Sequence, residues 1–508
     1  MRRAIALALC AVCAGQSARA DVNGRISLTG MVLRESQDGK PDPNGGTFPA
    51  DASPVTLVYG DLRGVVEGRK LAGGLEFKVD LRLRLTSDFS QADAILGNLS
   101  TSARGYSGGR EYDLREAFLG HRGEHFQIAV GRLFIPESDA LRIDGVRLGW
   151  RFSEHWNAAI FGGLYPDPYS RSLTDNYRDP KALAGAAGAA TAYNYARIWG
   201  SASVTAIIHG GPDDGGPIPP TGLMDPAGTA QTEAPRVYLT WTNYARIAAW
   251  LDFFHDLVVD VTGPAGAQLT RADALAQIHA SRLQLTFGYG HLSALATEMY
   301  LSRLLQDRQR FLPGSVENNL IVQRTARDEG RLRADMRAVG RLHVFGEGRV
   351  RRRTLIEASD DPSFAHVDSP LAWEVGGGIR SAGDLFGLRL GLAFTYLLDF
   401  RAETKLVTVD LGRDFAAGKL SLDAGFLWEG IRDNGLDSTS SCDPIKMPLD
   451  PACFGRKSGT TYQGSFTLAA RPSPRWFLLA DYRLVASNTD GASSLLTHVA
   501  LLRVEVRL

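Results

Sequence analysis

Cysteine is nearly absent from this chain: four residues in 508, two of them, Cys10 and Cys13, within the first twenty positions. That scarcity excludes a disulfide-dense scaffold and a thiolate metal centre. The remaining pair, Cys442 and Cys453, falls in a polar stretch with Asp443, Pro444, Pro448 and Pro451, where a local disulfide stapling one surface loop is expected in an oxidising compartment. Long apolar runs are also missing. Beyond the first twenty residues no stretch of about eighteen apolar residues occurs, so the chain has no helical membrane span. An excess of either charge is missing too: 56 basic residues balance 56 acidic ones, and nothing favours a nucleic-acid partner. Finally, no linker or low-complexity tract marks a domain boundary in so long a chain.

What is present begins with an address. Met1-Arg2-Arg3, an apolar run from Ala4 to about Ala14, and Ala18-Arg19-Ala20 have the layout of a secretory signal peptide over 1–20, with the mature chain starting near Asp21. An exported chain without helical spans is either soluble or a barrel.

The stretch Leu75 to Thr86, LEFKVDLRLRLT, decides between them. Leu75, Phe77, Val79, Leu81, Leu83 and Leu85 share one face of a period-2 strand, and Glu76, Lys78, Asp80, Arg82, Arg84 and Thr86 share the other. At roughly 3.3 Å per residue, about eleven residues tilted by about 45° cross the roughly 25 Å apolar band of an outer membrane. Hydrocarbon on one face and water on the other account for the pattern.

Weaker copies recur to the last residue, joined alternately by short connections such as 69–71, 122–124, 153–155, 243–245 and 340–341 and by long ones such as 36–54, 87–110, 166–180, 210–234 and 294–328. That alternation predicts an all-β, transmembrane, up-and-down antiparallel β-barrel over 21–508 as a single domain. Splitting 180–210 at 195–198 keeps the parity and gives about 22 segments with both termini at the short-turn end. The expectation is 16 to 22 strands, nearer the middle, because no N-terminal plug precedes the first strand.

Candidate lumen residues follow from the same alternation. The predicted hairpin 331–354 turns Arg331, Arg333, Asp335 and Arg337, then Glu347, Arg349, Arg351 and Arg353, to one side. With Arg82, Arg84, Glu116 and Arg389 they form the set expected to line a transport path. Two readings stand side by side: a cationic strip that selects anionic solutes through guanidinium forks, and a self-neutralising ladder of arginines and carboxylates that stiffens the wall. The segment 292–305 has helical apolar spacing and is expected either to fold into the lumen or to cap its mouth.

Two enzyme-like strings occur. His121-Arg122-Gly123-Glu124-His125 fits HxxEH, but that chemistry needs a helix and this string sits on a predicted tight turn. Gly105-Tyr106-Ser107-Gly108-Gly109 fits GxSxG in a Gly/Ser-rich loop, away from any strand-to-helix elbow. The chain is therefore read as no enzyme, without cofactor or metal.

Leu114-Arg115-Glu116-Ala117-Phe118, Ala129-Val130-Gly131-Arg132 and Asp144-Gly145-Val146-Arg147-Leu148 resemble the early hairpins of outer-membrane porins and of the alginate-export type of polysaccharide-secretion barrel. The resemblance to the export family implies an arginine-containing lumen conducting an acidic or polar polysaccharide handed on by periplasmic components. The last strand, His498 to Leu508, resembles the signal read by the barrel-assembly machinery of Gram-negative outer membranes, with Leu508 where an aromatic residue is usual. Polysaccharide export is accordingly the leading expectation, a general diffusion porin the alternative, and a barrel-embedded hydrolase or surface scaffold the remaining ones. Outer-membrane lipid is an expected partner throughout.

Overall fold

A computed structural model of the chain describes residues 21–37, 55–69, 71–88, 110–139, 141–165, 184–208, 236–263, 266–293, 325–355, 371–381, 387–398, 402–433, 458–489 and 494–507. These form 22 strands. In chain order they are β1 (Asp21–Gln37), β2 (Val55–Arg69), β3 (Leu75–Asp88), β4 (Arg110–Arg122), β5 (Phe126–Ile135), β6 (Leu141–Arg151), β7 (Trp156–Tyr165) and β8 (Ala184–Asn194). There follow β9 (Ile198–Ile208), β10 (Arg236–Ala248), β11 (Leu251–Gly263), β12 (Gly266–His279), β13 (Leu283–Ser293), β14 (Thr325–Val339) and β15 (Leu342–Leu355). The wall continues through β16 (Ala372–Ser381), β17 (Leu388–Leu398), β18 (Ala402–Phe415), β19 (Leu420–Asp433), β20 (Gly459–Ser473), β21 (Trp476–Thr489) and β22 (Leu495–Arg507).

Each strand pairs antiparallel with its sequence neighbours, and β22 pairs with β1 from Arg25↔Arg507 to Gln37↔Leu495. Closure removes the sheet edges over most of the wall, so that its backbone polar groups are satisfied there by the neighbouring strands, as a lipid environment requires. The side chains divide as the period demands. On β17 Leu390, Leu392 and Phe394 are exposed on the outer face, while Arg389 and Gly391 alternate with them. On β14 the exposed Leu332 and Met336 alternate with Arg331, Arg333, Asp335 and Arg337. Dozens of large apolar side chains with a third or more of their surface exposed would be untenable in water. Against lipid they are the membrane-spanning surface of a porin-like β-barrel.

Aromatic residues mark the short-turn rim of that surface. Trp150, Phe152, Trp156 and Trp476 are exposed there, and the Trp156 indole donates to the Tyr195 hydroxyl at 2.6 Å while His155 stacks on Tyr195. Tyr396 instead pairs with Trp373 near the long-connection end. Amphipathic rings with a polar tip suit the headgroup level at both rims.

The strand number falls at the top of the expected range. A circular wall of 22 strands, each about 4.8 Å wide and tilted by about 40°, would be roughly 44 Å across, too wide for wall side chains to fill. A wall of that width is usual where the lumen holds a plug. The structure fills part of the lumen by another route, with two strands of its own wall.

One expected turn is misplaced. The string 243–245 lies inside β10, and the chain reverses at 249–250. The expected splits at 195–198 and 340–341 agree with the structure. Residues 1–20, Cys442, Cys453, the Gly105 to Gly109 string and nearly all of 292–305 lie outside the described residues.

Candidate functional site: an inward ribbon and a paired-charge wall

Strands β5 and β6 belong to the wall for only part of their length. Pairing of β4 with β5 stops at Ala117↔Arg132, and pairing of β6 with β7 stops at Asp144↔Leu164. Beyond that level residues 133–143 pair only with each other, through Leu133↔Ile143, Phe134↔Arg142 and Ile135↔Leu141. The two strands leave the wall as a ribbon. Gly131, at φ +132°, sits at the departure point, and a Cβ there would collide with the Ala117 carbonyl.

The ribbon crosses into the lumen. Its tip reaches strands three to six places away around the wall: Ser138 Oγ donates to Ser203 Oγ of β9 at 2.9 Å, and Thr240 Oγ1 of β10 donates to the Glu137 carbonyl at 2.7 Å. Arg271 of β12 holds Asp139 at 2.7 Å and also contacts Asp256 of β11. Arg147 of β6 itself reaches Glu137 at 2.8 Å. The apolar face of the ribbon is fully buried, with Ile135 and Ile143 at 0% exposure, and clusters with Phe161, Ala186, Ala190 and Ile207 of the inner wall. Small residues on β8, Ala186 and Ala190, leave space for the ribbon, and Gly188 leaves space for the Phe161 ring.

The departure opens the wall, and one side chain bridges it. Arg132 forks onto Asp144 with two bonds of 2.7 Å and donates from Nη1 to the Leu114 carbonyl of β4 at 2.8 Å. Its guanidinium therefore caps a backbone acceptor that β5 would otherwise have satisfied.

The arginine-rich wall is on the inner face, as the alternation requires, with Arg331↔Arg349 and Arg333↔Glu347 as facing pairs. Its charges are largely matched. Arg333 meets Glu347 at 3.0 Å, Arg349 lies between Glu329 at 3.2 Å and Glu374 at 3.5 Å, and Arg351 meets Glu374 at 2.9 Å. His343, Arg333 and Arg380 converge on Asp335. Arg337 turns to the Gly340 carbonyl at 2.5 Å. Arg331 extends over the bare Gly288 and has no carboxylate partner among the described residues. Arg353 is placed by its backbone pairing opposite Arg327.

The other candidates are also bonded. Arg82 and Arg84 share Asp61, and Glu116 holds Lys78. Arg389 reaches Asp423 at 2.6 Å and Asp414. At Arg82, Arg84, Arg333, Arg349, Arg351 and Arg389 the geometry matches the ladder, whereas Arg331 and Arg337 meet no carboxylate among the described residues. Each pair is part-exposed and individually worth about 0.2–1 kcal/mol, so their effect lies in a fixed, hydrated, near-neutral lining rather than in large stability.

The HxxEH string straddles the end of β4 and the turn 123–125, and His125 Nδ1 faces the Arg151 carbonyl at 3.4 Å. Among the described residues no three potential ligands are assembled for a metal. Sequence reasoning missed the ribbon, although a signal exists. Apolar residues fall on even positions at Ile128 and Val130 and on odd ones at Leu133 and Ile135, then return to even at Val146 and Leu148 after odd Leu141 and Ile143. The phase flips at Gly131 and again at Gly145, while Phe134 alone keeps the even phase on the exposed face of the ribbon.

Fold and lining together define a closed, water-lined transmembrane barrel of the porin-like class. No protein-family model and no curated protein sequence matches the chain. Solved structures do. Pseudomonas aeruginosa OpdQ aligns at 10% identity over 96% of this chain and 99% of its own, with a TM-score of 0.42. Acinetobacter baumannii OccAB3 aligns at 11% identity over 96% and 99%, with a TM-score of 0.38. Pseudomonas aeruginosa OccK2 (OpdF), solved in complex with glucuronate, aligns at 8% identity over 96% and 98%, with a TM-score of 0.41.

Proposed function

We propose that the protein is a passive diffusion channel of the Gram-negative outer membrane for small polar solutes. The observation that carries this reading is the ribbon: residues 133–143 are docked by buried isoleucines and by bonds to β9, β10 and β12, and so narrow a wide, charge-lined lumen. Fixed dipoles and paired charges keep such a path hydrated, while the ribbon sets the size that passes. Polysaccharide export loses support, because Arg333, Arg349 and Arg351 of the expected anion-conducting strip are bonded to carboxylates. The leader 1–20 would deliver the chain across the inner membrane, and β22 is the segment the assembly machinery would engage.

Planar-bilayer recording of the purified protein, with liposome-swelling rates for sugars of increasing size, tests the proposal. Ohmic conductance with weak ion preference and a cut-off at oligosaccharide size is expected. Absence of conductance from correctly folded protein would overturn it, and passage of long polymers would restore the export reading.

A further inference from the structure

On one stretch of the inner wall, large aromatic and aliphatic side chains line up across four neighbouring strands. Trp199 of β9, Tyr244 of β10, Phe254 of β11 and Leu275 of β12 are successive facing residues, through Trp199↔Tyr244, Tyr244↔Phe254 and Phe254↔Leu275. They form one apolar row running perpendicular to the strands across β9 to β12. The row faces the lumen. Trp199 shares its strand face with Ser203 and Tyr244 shares its face with Thr240, the two residues that bind the ribbon tip, whereas Ile198, Val204, Leu239 and Trp241 are exposed on the lipid side. Trp199 and Ser203 are four positions apart, so the row lies roughly 13 Å along the strand from the ribbon, toward the short-turn mouth.

Trp199 keeps 46% of its surface exposed although it points into an aqueous lumen, and its ring stacks beside Tyr244 with centroids 5.6 Å apart and planes 22° from parallel. Such an apolar surface standing in water is unfavourable unless something covers it. Polar side chains border it on both sides. Asp256 and Asp273 face each other in the next row toward the ribbon, and Asp273 has no hydrogen bond or ion pair to another described residue. In the next row toward the mouth, Arg246 meets Asp252 at 3.0 Å, Asp252 also contacts His279, and Gln277 faces Asp252 across the β11–β12 pair.

We infer that this row is a binding ledge for a neutral pyranose oligosaccharide. The C–H face of a pyranose carries partial positive charge and lies flat on an aromatic face. Its equatorial hydroxyls point outward in the ring plane, where carboxylate, amide and guanidinium groups accept and donate in the geometry these two borders present. Four strands at about 4.8 Å spacing give a ledge of roughly 15–20 Å, the length of two to three sugar rings. The ledge rests on the diffusion-channel reading for its role: it would hold a sugar at the mouth-side face of the narrowing and raise its local concentration there. Its existence as a binding site stands on the geometry of the row.

The test uses the full-length protein in detergent with maltotriose, cellotriose and xylotriose. Isothermal titration calorimetry reads binding, and current interruption in planar bilayers reads occupancy of the path. Saturable binding of at least one trisaccharide in about the millimolar range is expected, with about tenfold loss in Trp199→Ala and in Tyr244→Leu, which keeps bulk but removes the aromatic face. Trp199→Phe should retain most of the affinity, and Trp150→Ala, on the lipid-facing rim, should leave it unchanged. Heat-modifiable gel mobility identifies folded barrels, and Trp199→Phe and Tyr244→Leu carry the test if Trp199→Ala fails to fold. No binding of any of the three sugars at about 10 mM, or equal binding by wild type and Tyr244→Leu, would overturn the ledge. Conductance without binding or block removes the ledge and leaves the channel. Binding without conductance removes the channel and leaves the ledge.

Discussion

Replacing both Ile135 and Ile143 with aspartate should release the ribbon from the lumen wall. Leu133, Ile135, Leu141 and Ile143 are 0–8% exposed. At about 2–3 kcal/mol per fully buried aliphatic side chain, they contribute roughly 8–12 kcal/mol to docking, as an upper estimate. The polar anchors add less, since Arg271 and Asp139 are 30% and 42% exposed and such pairs are worth about 1 kcal/mol or below. Aspartate at both positions removes half of the apolar term and asks for two carboxylates to be buried, at several kcal/mol each. The sum reverses sign, so the ribbon undocks while the remaining wall keeps its pairing. Single-channel conductance should then rise at least about twofold, because the lumen of a 22-stranded wall is far wider than the space left beside the ribbon. The swelling cut-off should move to larger sugars. Unchanged conductance from a folded double mutant would refute the claim that the ribbon sets the aperture.

Cysteines in the Ser138→Cys and Ser203→Cys double variant should cross-link under mild oxidation, because the two hydroxyls are 2.9 Å apart, and should leave conductance unaltered before and after reduction; failure to cross-link would show that the tip is not docked there. Arg132→Ala strips the fork from Asp144 and the cap from the Leu114 carbonyl, and with Arg132 only 9% exposed the cost should be about 2–4 kcal/mol, read as a lower unfolding temperature on heat-modifiable gels. Glu374→Gln removes the carboxylate of Arg351 and one of the two carboxylates of Arg349, which keeps Glu329, and the reversal potential in a salt gradient should move toward anion preference, whereas no movement would mean that this wall does not border the ion path.

The faces of the strands were legible and their partners were not. Alternation alone puts Arg331, Arg333, Asp335, Arg337, Glu347, Arg349 and Arg351 on the inner side, because a period of two has a single apolar face and lipid fixes which way it points. Which carboxylate each guanidinium meets depends on register between strands. Arg349 meets Glu329 of the preceding strand and Glu374 of the following one, and Glu374 lies well outside the hairpin from which the charge imbalance was read. The six arginines and two carboxylates of hairpin 331–354 are thus too small a piece of wall for its charge balance to be read. The turn expected at 243–245 failed for a related reason. Asn243 and Tyr244 carry polar atoms, but Tyr244 is part of the inner row with Trp199 and Phe254, and a polar or aromatic residue pointing into water does not end a strand in a barrel.

The ribbon escaped notice because segments were judged one at a time, while its signature is a change of phase between consecutive stretches of one strand. A strand that stays in the wall cannot shift its apolar residues from even to odd positions without turning them from lipid to water. Ile128 and Val130 followed by Leu133 and Ile135 therefore leave two options: the odd-numbered residues face water and are unfavourable, or the strand has left the wall and buries them elsewhere. Two such flips, placed symmetrically at Gly131 and Gly145 around the turn residues Pro136, Glu137, Ser138 and Asp139, select the second option, since a hairpin that folds inward must reverse both of its strands at the same height. The register confirms the height, for Gly131 and Gly145 face each other directly. Phase along the chain thus carries information about where a barrel narrows that composition, strand count and loop length do not contain.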